Sequence, residues 1–219
     1  MILGRVSPSQ IRWLAVAAVL GGLLWIPYGI FEMLEPWGTD TVYRDDLGYE
    51  VITDTPSFVA YSLPGSLALL LTSLGLFGVF ALLELPAHRA CRIGRVLIYV
   101  ALALALLSIL GVLVLFDPLF TTGRIFGSLA LGAATLLVGI DARARGVAPN
   151  WIVTLLILGL MGLFLLPLWP LVHALQMVPE GAGAAFIVVY GLGWMLTGYR
   201  LHEDVRLARD GGPTGSLPN

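Results

Sequence analysis

Residues 96–116 read VLIYVALALALLSILGVLVLF, a run with no charge and only two hydroxyls, those of Tyr99 and Ser108. A helix rises 1.5 Å per residue, so this run is about 30 Å long, the hydrocarbon thickness of a bilayer. A segment this long and this apolar predicts a membrane-crossing helix. Asp117-Pro118 follows it and is expected to end the span, because proline lacks the N–H that a continuing helix requires.

The same pattern repeats on both sides. Upstream, apolar runs cover 11–34 and 58–83, each opened by a cap-plus-proline pair, Ser7-Pro8 and Thr55-Pro56. Downstream, spans are expected at about 125–140, 151–171 and 182–199. The first run reaches Leu34 without a small-residue cleavage site and reads as an uncleaved first span. Most connections are short, which makes sequential helices antiparallel neighbours. The fold class expected is all-α: a polytopic membrane helix bundle of six transmembrane helices in one domain, residues 1–209. An outer loop at 35–57 and a disordered Gly/Pro/Ser-rich tail at 210–219 complete it.

Of the 219 residues, 58% are hydrophobic and 12% charged, too few charges and too much apolar surface for a soluble core of this size. The net charge of −2 offers no basic surface to nucleic acid, and all twelve positive residues are Arg. With six spans, ten arginines fall on one side, and only Arg44 and Arg124 on the other. Cytoplasmic loops hold the positive excess, so both termini are expected inside. Cys91 is the lone cysteine, which excludes an intrachain disulfide.

A short repeat is visible within the helices. Gly65-Ser66-Leu67-Ala68-Leu69 recurs as Gly127-Ser128-Leu129-Ala130-Leu131, pointing to three related helical hairpins. Span four is rich in small residues, and Ser128/Gly132 and Ala130/Ala134 form a candidate helix-packing face that lets backbones approach.

No ionisable residue lies near the middle of a predicted span, which weakens proton-relay and ion-coupled readings. His88, His173 and His202 do not face one another at one depth, so a bis-histidine haem is not expected, nor is any other cofactor. Ser66 and His173 lack the third group of a serine-protease site.

One cluster of candidates remains, at the outer ends. Pro27, Pro64, Pro118, Pro167 and Pro170 bend or end helices there. Glu32, Glu35, Asp117 and His173 share that level with Trp25, Tyr28, Trp37 and Trp169. Trp25, Tyr28 and Glu32 fit one helical face by spacings of three and four. They predict an outward-facing vestibule with acidic and aromatic walls. Within the outer loop, 41–43 and 49–53 are β-prone and flank a turn at Asp45-Asp46-Leu47-Gly48, the signature of a small hairpin. The loop lacks the spacing of a calcium-binding EF-hand.

In its layout, an acidic outer loop after span one and short connections thereafter, the chain resembles uncharacterised six-span bacterial inner-membrane proteins grouped as domains of unknown function. That resemblance implies a bacterial inner membrane as the location. Two functions are compatible with the residues. One is non-catalytic binding of a lipid, a membrane-protein partner or a second copy through the small-residue faces. The other is a small transporter or channel-like protein using the outer vestibule.

Overall fold

The computed structural model describes residues 7–34, 41–83, 89–146, 151–165 and 182–209, of which 87% lie in six helices and the π turn that continues one of them. They are α1 (Pro8–Leu34), α2 (Thr55–Leu82), α3 (Arg89–Leu113), α4 (Asp117–Ala144), α5 (Ile152–Leu160) and α6 (Ala182–Arg209). A π turn, Met161–Leu165, continues α5. Between α1 and α2 stands a two-stranded hairpin, β1 (Thr41–Arg44) and β2 (Tyr49–Ile52). Among the described residues, α1 to α4 are long and apolar enough to cross a membrane.

The helix starts follow from local chemistry. Ser7 and Gln10 form a reciprocal capping box: the Ser7 N–H donates to Gln10 Oε1 at 2.8 Å, and the Gln10 N–H donates to Ser7 Oγ at 3.3 Å. Both α2 and α4 begin from an extended residue with proline in the first turn, where its missing N–H costs nothing. Asp117-Pro118, expected to terminate the third span, therefore opens α4, while α3 ends at Leu113. Helix α4 extends beyond the expected 125–140 at both ends and carries Arg124 inside it.

The end of α3 is a Schellman motif. Phe116 N–H reaches back to the Gly111 carbonyl at 2.8 Å and Leu115 N–H to Val112 at 3.2 Å. Leu115 occupies the left-handed position, φ 55°, where glycine is the ordinary choice.

Successive helices α1 to α5 pack antiparallel. Ala18 meets Gly75 on α2, Ser66 of α2 meets Ser108 on α3, Ser108 meets Gly123 on α4, and Gly132 of α4 meets Gly162 beyond α5. Helix α6 returns along α1, with Gly191 against Gly22 and Gly198 against Ala15. Helices α2 and α4 are the most enclosed of the four long spans. Large aliphatic residues such as Leu23, Leu106 and Ile157 face outward, as suits a lipid solvent.

The face of Ser128, Ala130, Gly132 and Ala134 is buried inside this bundle. A Cβ at Gly132 would lie 2.6 Å from the Gly162 carbonyl carbon. Backbone contact of this kind is how membrane helices gain dispersion energy without a hydrophobic drive. Helices α2 and α4 have the same length, 28 residues, and the shared GSLAL pentad begins at the eleventh residue of each.

The hairpin forms where the sequence indicated it. Thr41 pairs with Ile52 and Arg44 with Tyr49, and Gly48 turns the chain at φ 74°. The Arg44 guanidinium bonds Asp46 and holds its carboxyl below the ordinary carboxylate pKa. Tyr49 stacks edge-on against Phe116, 5.4 Å between ring centres, seating the hairpin on the α3–α4 turn. The far end is fastened differently: Cys91 Sγ donates to Asp141 at 2.9 Å, and Trp151 Nε1 donates to Asp204 at 2.9 Å.

Two substitutions test this packing by thermal unfolding in detergent. Leu115→Gly should stabilise by about 1 kcal/mol by relieving the left-handed backbone. Gly132→Leu should destabilise by about 3 kcal/mol or more, since the facing backbone has no room to yield. An unchanged midpoint for Gly132→Leu would show that α4 and α5 do not touch there.

Candidate functional site

The hairpin end of the bundle encloses an ion pair. Glu32, near the end of α1, and Arg124, about 10 Å into α4 by helical rise, are only 8% and 7% exposed. Arg124 Nη1 lies 3.3 Å from Glu32 Oε1. Tyr28, one turn before Glu32, donates its hydroxyl proton to Oε1 at 2.6 Å, and Tyr61 of α2 donates to the same oxygen at 2.5 Å. Arg124 Nη1 also donates to the Tyr28 hydroxyl and, at 3.4 Å, to that of Tyr61. Three helices thus meet on one carboxylate oxygen.

Aromatic rings close around the charge. The Arg124 guanidinium carbon is 4.9 Å from the centre of the Phe120 ring and 5.6 Å from that of Tyr28. Phe120 contacts Phe58 edge-on. Ring faces carry negative potential, so they hold a guanidinium without adding a formal charge. Asp117 is also buried, at the start of α4, where it accepts a hydrogen bond from Thr121 at 3.2 Å.

A ladder of rings leads away from the pair. Tyr28 meets Trp25 at 5.7 Å, Trp25 meets Tyr190 of α6 at 5.5 Å, and Tyr190 meets Trp194 at 6.3 Å, all edge-on. Trp25 Nε1, the Tyr190 hydroxyl and Trp194 Nε1 are buried with no hydrogen-bond partner among the described residues. Tyr190 and Trp194 are close enough to influence one another, but their geometry falls short of a hydrogen bond. The Tyr190 hydroxyl lies against Gly162, in the π turn that follows α5. Each orphaned donor costs about 1–3 kcal/mol.

Of the expected vestibule residues, Trp25, Tyr28 and Glu32 run along one buried face of α1, and Asp117 is enclosed nearby. Glu35, Trp169 and His173, with Trp37, Pro167 and Pro170, lie outside the described residues. Pro27 and Pro64 are accommodated within α1 and α2. Glu32 is neutralised by Arg124, a residue that the sequence reading places in an outer connection. Starting the fourth span at 125 leaves Arg124 outside it; as the eighth of the 28 residues of α4 it stands off the middle of that helix, where the sequence shows no ionisable residue. Reading Asp117-Pro118 as a helix start would have found it. Tyr61, Tyr190 and Trp194 were also missed; only Tyr61, on the turn before Pro64, stood near the proline level.

The small-residue face expected to receive a lipid or partner is shared between neighbours: Gly132 packs against Gly162 just beyond α5, and the Ala134 carbonyl lies toward Gly94 of α3. No family model, curated protein or solved structure matches the chain.

Removing one member of the pair leaves the other charge buried without its ion-pair contact. Glu32→Gln or Arg124→Gln should each destabilise the protein by about 3–5 kcal/mol, whereas Glu32→Gln combined with Arg124→Gln should recover a large part of the loss. Thermal unfolding of the three variants in one detergent checks this. Additive losses in the double variant would show that the two groups do not interact.

Proposed function

We propose that this chain is a six-span protein of the bacterial inner membrane, both termini cytoplasmic, acting as a small transporter whose outer gate is the Glu32–Arg124 pair. The arginine distribution supports the orientation. Arg12, Arg92, Arg95, Arg143, Arg145, Arg200 and Arg206 all lie toward the end of the bundle away from the hairpin. Among the described residues, the hairpin end has Arg44 and Arg124. The positive-inside rule puts the crowded end in the cytoplasm. Helix α5 with its continuation, and α6, supply the fifth and sixth spans.

The buried pair carries the transport reading. A 28-residue helix is about 42 Å long, and the central 30 Å of α4 would include Arg124. A charge at such depth is expensive, and its usual use is on a substrate path. This pair joins three helices through one oxygen, so exchanging a single set of contacts frees the hairpin end of α1 from Tyr61 of α2 and Arg124 of α4. The π turn departs from α-helical bonding at the end of α5, beside the same bundle interior, and such turns concentrate at functional sites. Backbone-on-backbone contacts at Gly132–Gly162 and Gly22–Gly191 offer smooth surfaces for small helix displacements.

Two measurements test this. Reporter tags at both termini should read cytoplasmic and a tag within 41–52 periplasmic; opposite compartments for the two termini would reject the six-span arrangement. Proteoliposomes should pass a solute from a panel of small neutral and charged compounds. Tyr61→Phe, which removes one hydroxyl and leaves the ion pair, should change that rate at least threefold. Vesicles inert across the whole panel would reject transport.

A further inference from the structure

Trp25, Tyr190 and Trp194 are between 0% and 1% exposed, yet their polar hydrogens find no acceptor among the described residues. Buried donors in native proteins are nearly always satisfied, so three orphans in one chain of touching rings call for an explanation. Phenylalanine would fill either the tyrosine or the tryptophan sites with less polar burden. The three belong to two helices, α1 and α6, and Tyr190 faces the π turn, where the regular helical bonding of α5 changes register. All three groups can donate, and the Tyr190 hydroxyl alone can also accept. The rings around them offer faces and edges, and none of the three carries a formal charge.

We propose that Trp25, Tyr190 and Trp194 form a binding site for a neutral molecule bearing carbonyl oxygens, reached from the Glu32–Arg124 gate through Tyr28. Indole N–H and phenol O–H groups would donate to the carbonyls, and the neighbouring rings would cover the apolar body of the ligand. Ring faces can hold a cation, but the three donors without acceptors call for a ligand that accepts hydrogen bonds, and a carboxylate finds no positive side chain among these three. In the closed state the donors pack against their neighbours; the ligand enters as α1 and α6 part at the Gly22–Gly191 contact. The carbonyls could belong to a free quinone-like molecule or to the ester linkages of a phospholipid. The site deepens the transport reading by naming the class of solute, and rests on it for the route of entry. Binding at equilibrium in detergent does not require flux, so the two can fail separately.

The test uses the full chain in detergent with two probes. Menadione, which carries two ring carbonyls, should quench tryptophan fluorescence saturably. Ester-linked phosphatidylethanolamine, which carries no net charge, should raise the unfolding temperature more than its ether-linked analogue, which lacks the carbonyls, if lipid is the natural source. Tyr190→Phe removes the hydroxyl and leaves every tryptophan in place. It should weaken the effective probe about tenfold, equivalent to ~1.4 kcal/mol, while leaving the unfolding temperature of the ligand-free protein unchanged or higher. Trp25→Phe should act in the same direction. The proposal is overturned if neither probe gives a saturable response, or if Tyr190→Phe lowers the ligand-free unfolding temperature and leaves probe binding intact.

Discussion

A carboxylate and a guanidinium held together away from water govern the hairpin end of this bundle. Separating Glu32 from Arg124 there exposes each to a medium that solvates neither, so the helices bearing them stay together as long as the charges do. Tyr28 and Tyr61 add two neutral donors to the same oxygen, drawing α2 into the contact. The rest of that end follows: Phe120 and Phe58 fill the space around the guanidinium, and Asp117 is enclosed at the head of α4.

Elsewhere cohesion comes from closeness. Glycine and alanine at Gly22, Ala18, Gly132 and Gly191 let backbones touch, and dispersion accumulates over many short contacts. The hydroxyls of Thr72, Ser73, Thr135 and Thr197 return their hydrogen bonds to carbonyls in their own helices and place little polarity between neighbours. Among the described residues the bundle therefore has one buried ion-paired junction at the hairpin end, side-chain hydrogen bonds that fasten the far end, and several smooth seams between them, along which helices can shift once the junction opens.

The sequence is most readable where a single physical demand dominates. Apolar runs such as 96–116 must become helices that satisfy their own backbone, and Asp45-Asp46-Leu47-Gly48 between two β-prone pieces must turn. Proline was more ambiguous. Pro118 can close one helix or open the next, and the choice moved Arg124 from an outer connection to the protein interior. Trp25, Tyr28 and Glu32 could be grouped by helical spacing because they share one helix. Their partners Tyr61, Arg124 and Tyr190 come from three other helices, and periodicity within a segment says nothing about which faces meet across segments.

Helices α2 and α4 share their length, their proline entry and the register of their common pentad. Superposing them by position sets Ser62, the eighth residue of one, on Arg124, the eighth of the other. Both side chains are buried, and the serine hydroxyl has no partner among the described residues. At this matched position one rod carries a neutral hydroxyl and the other a guanidinium, so of the two only α4 brings a positive charge into the bundle interior at that level.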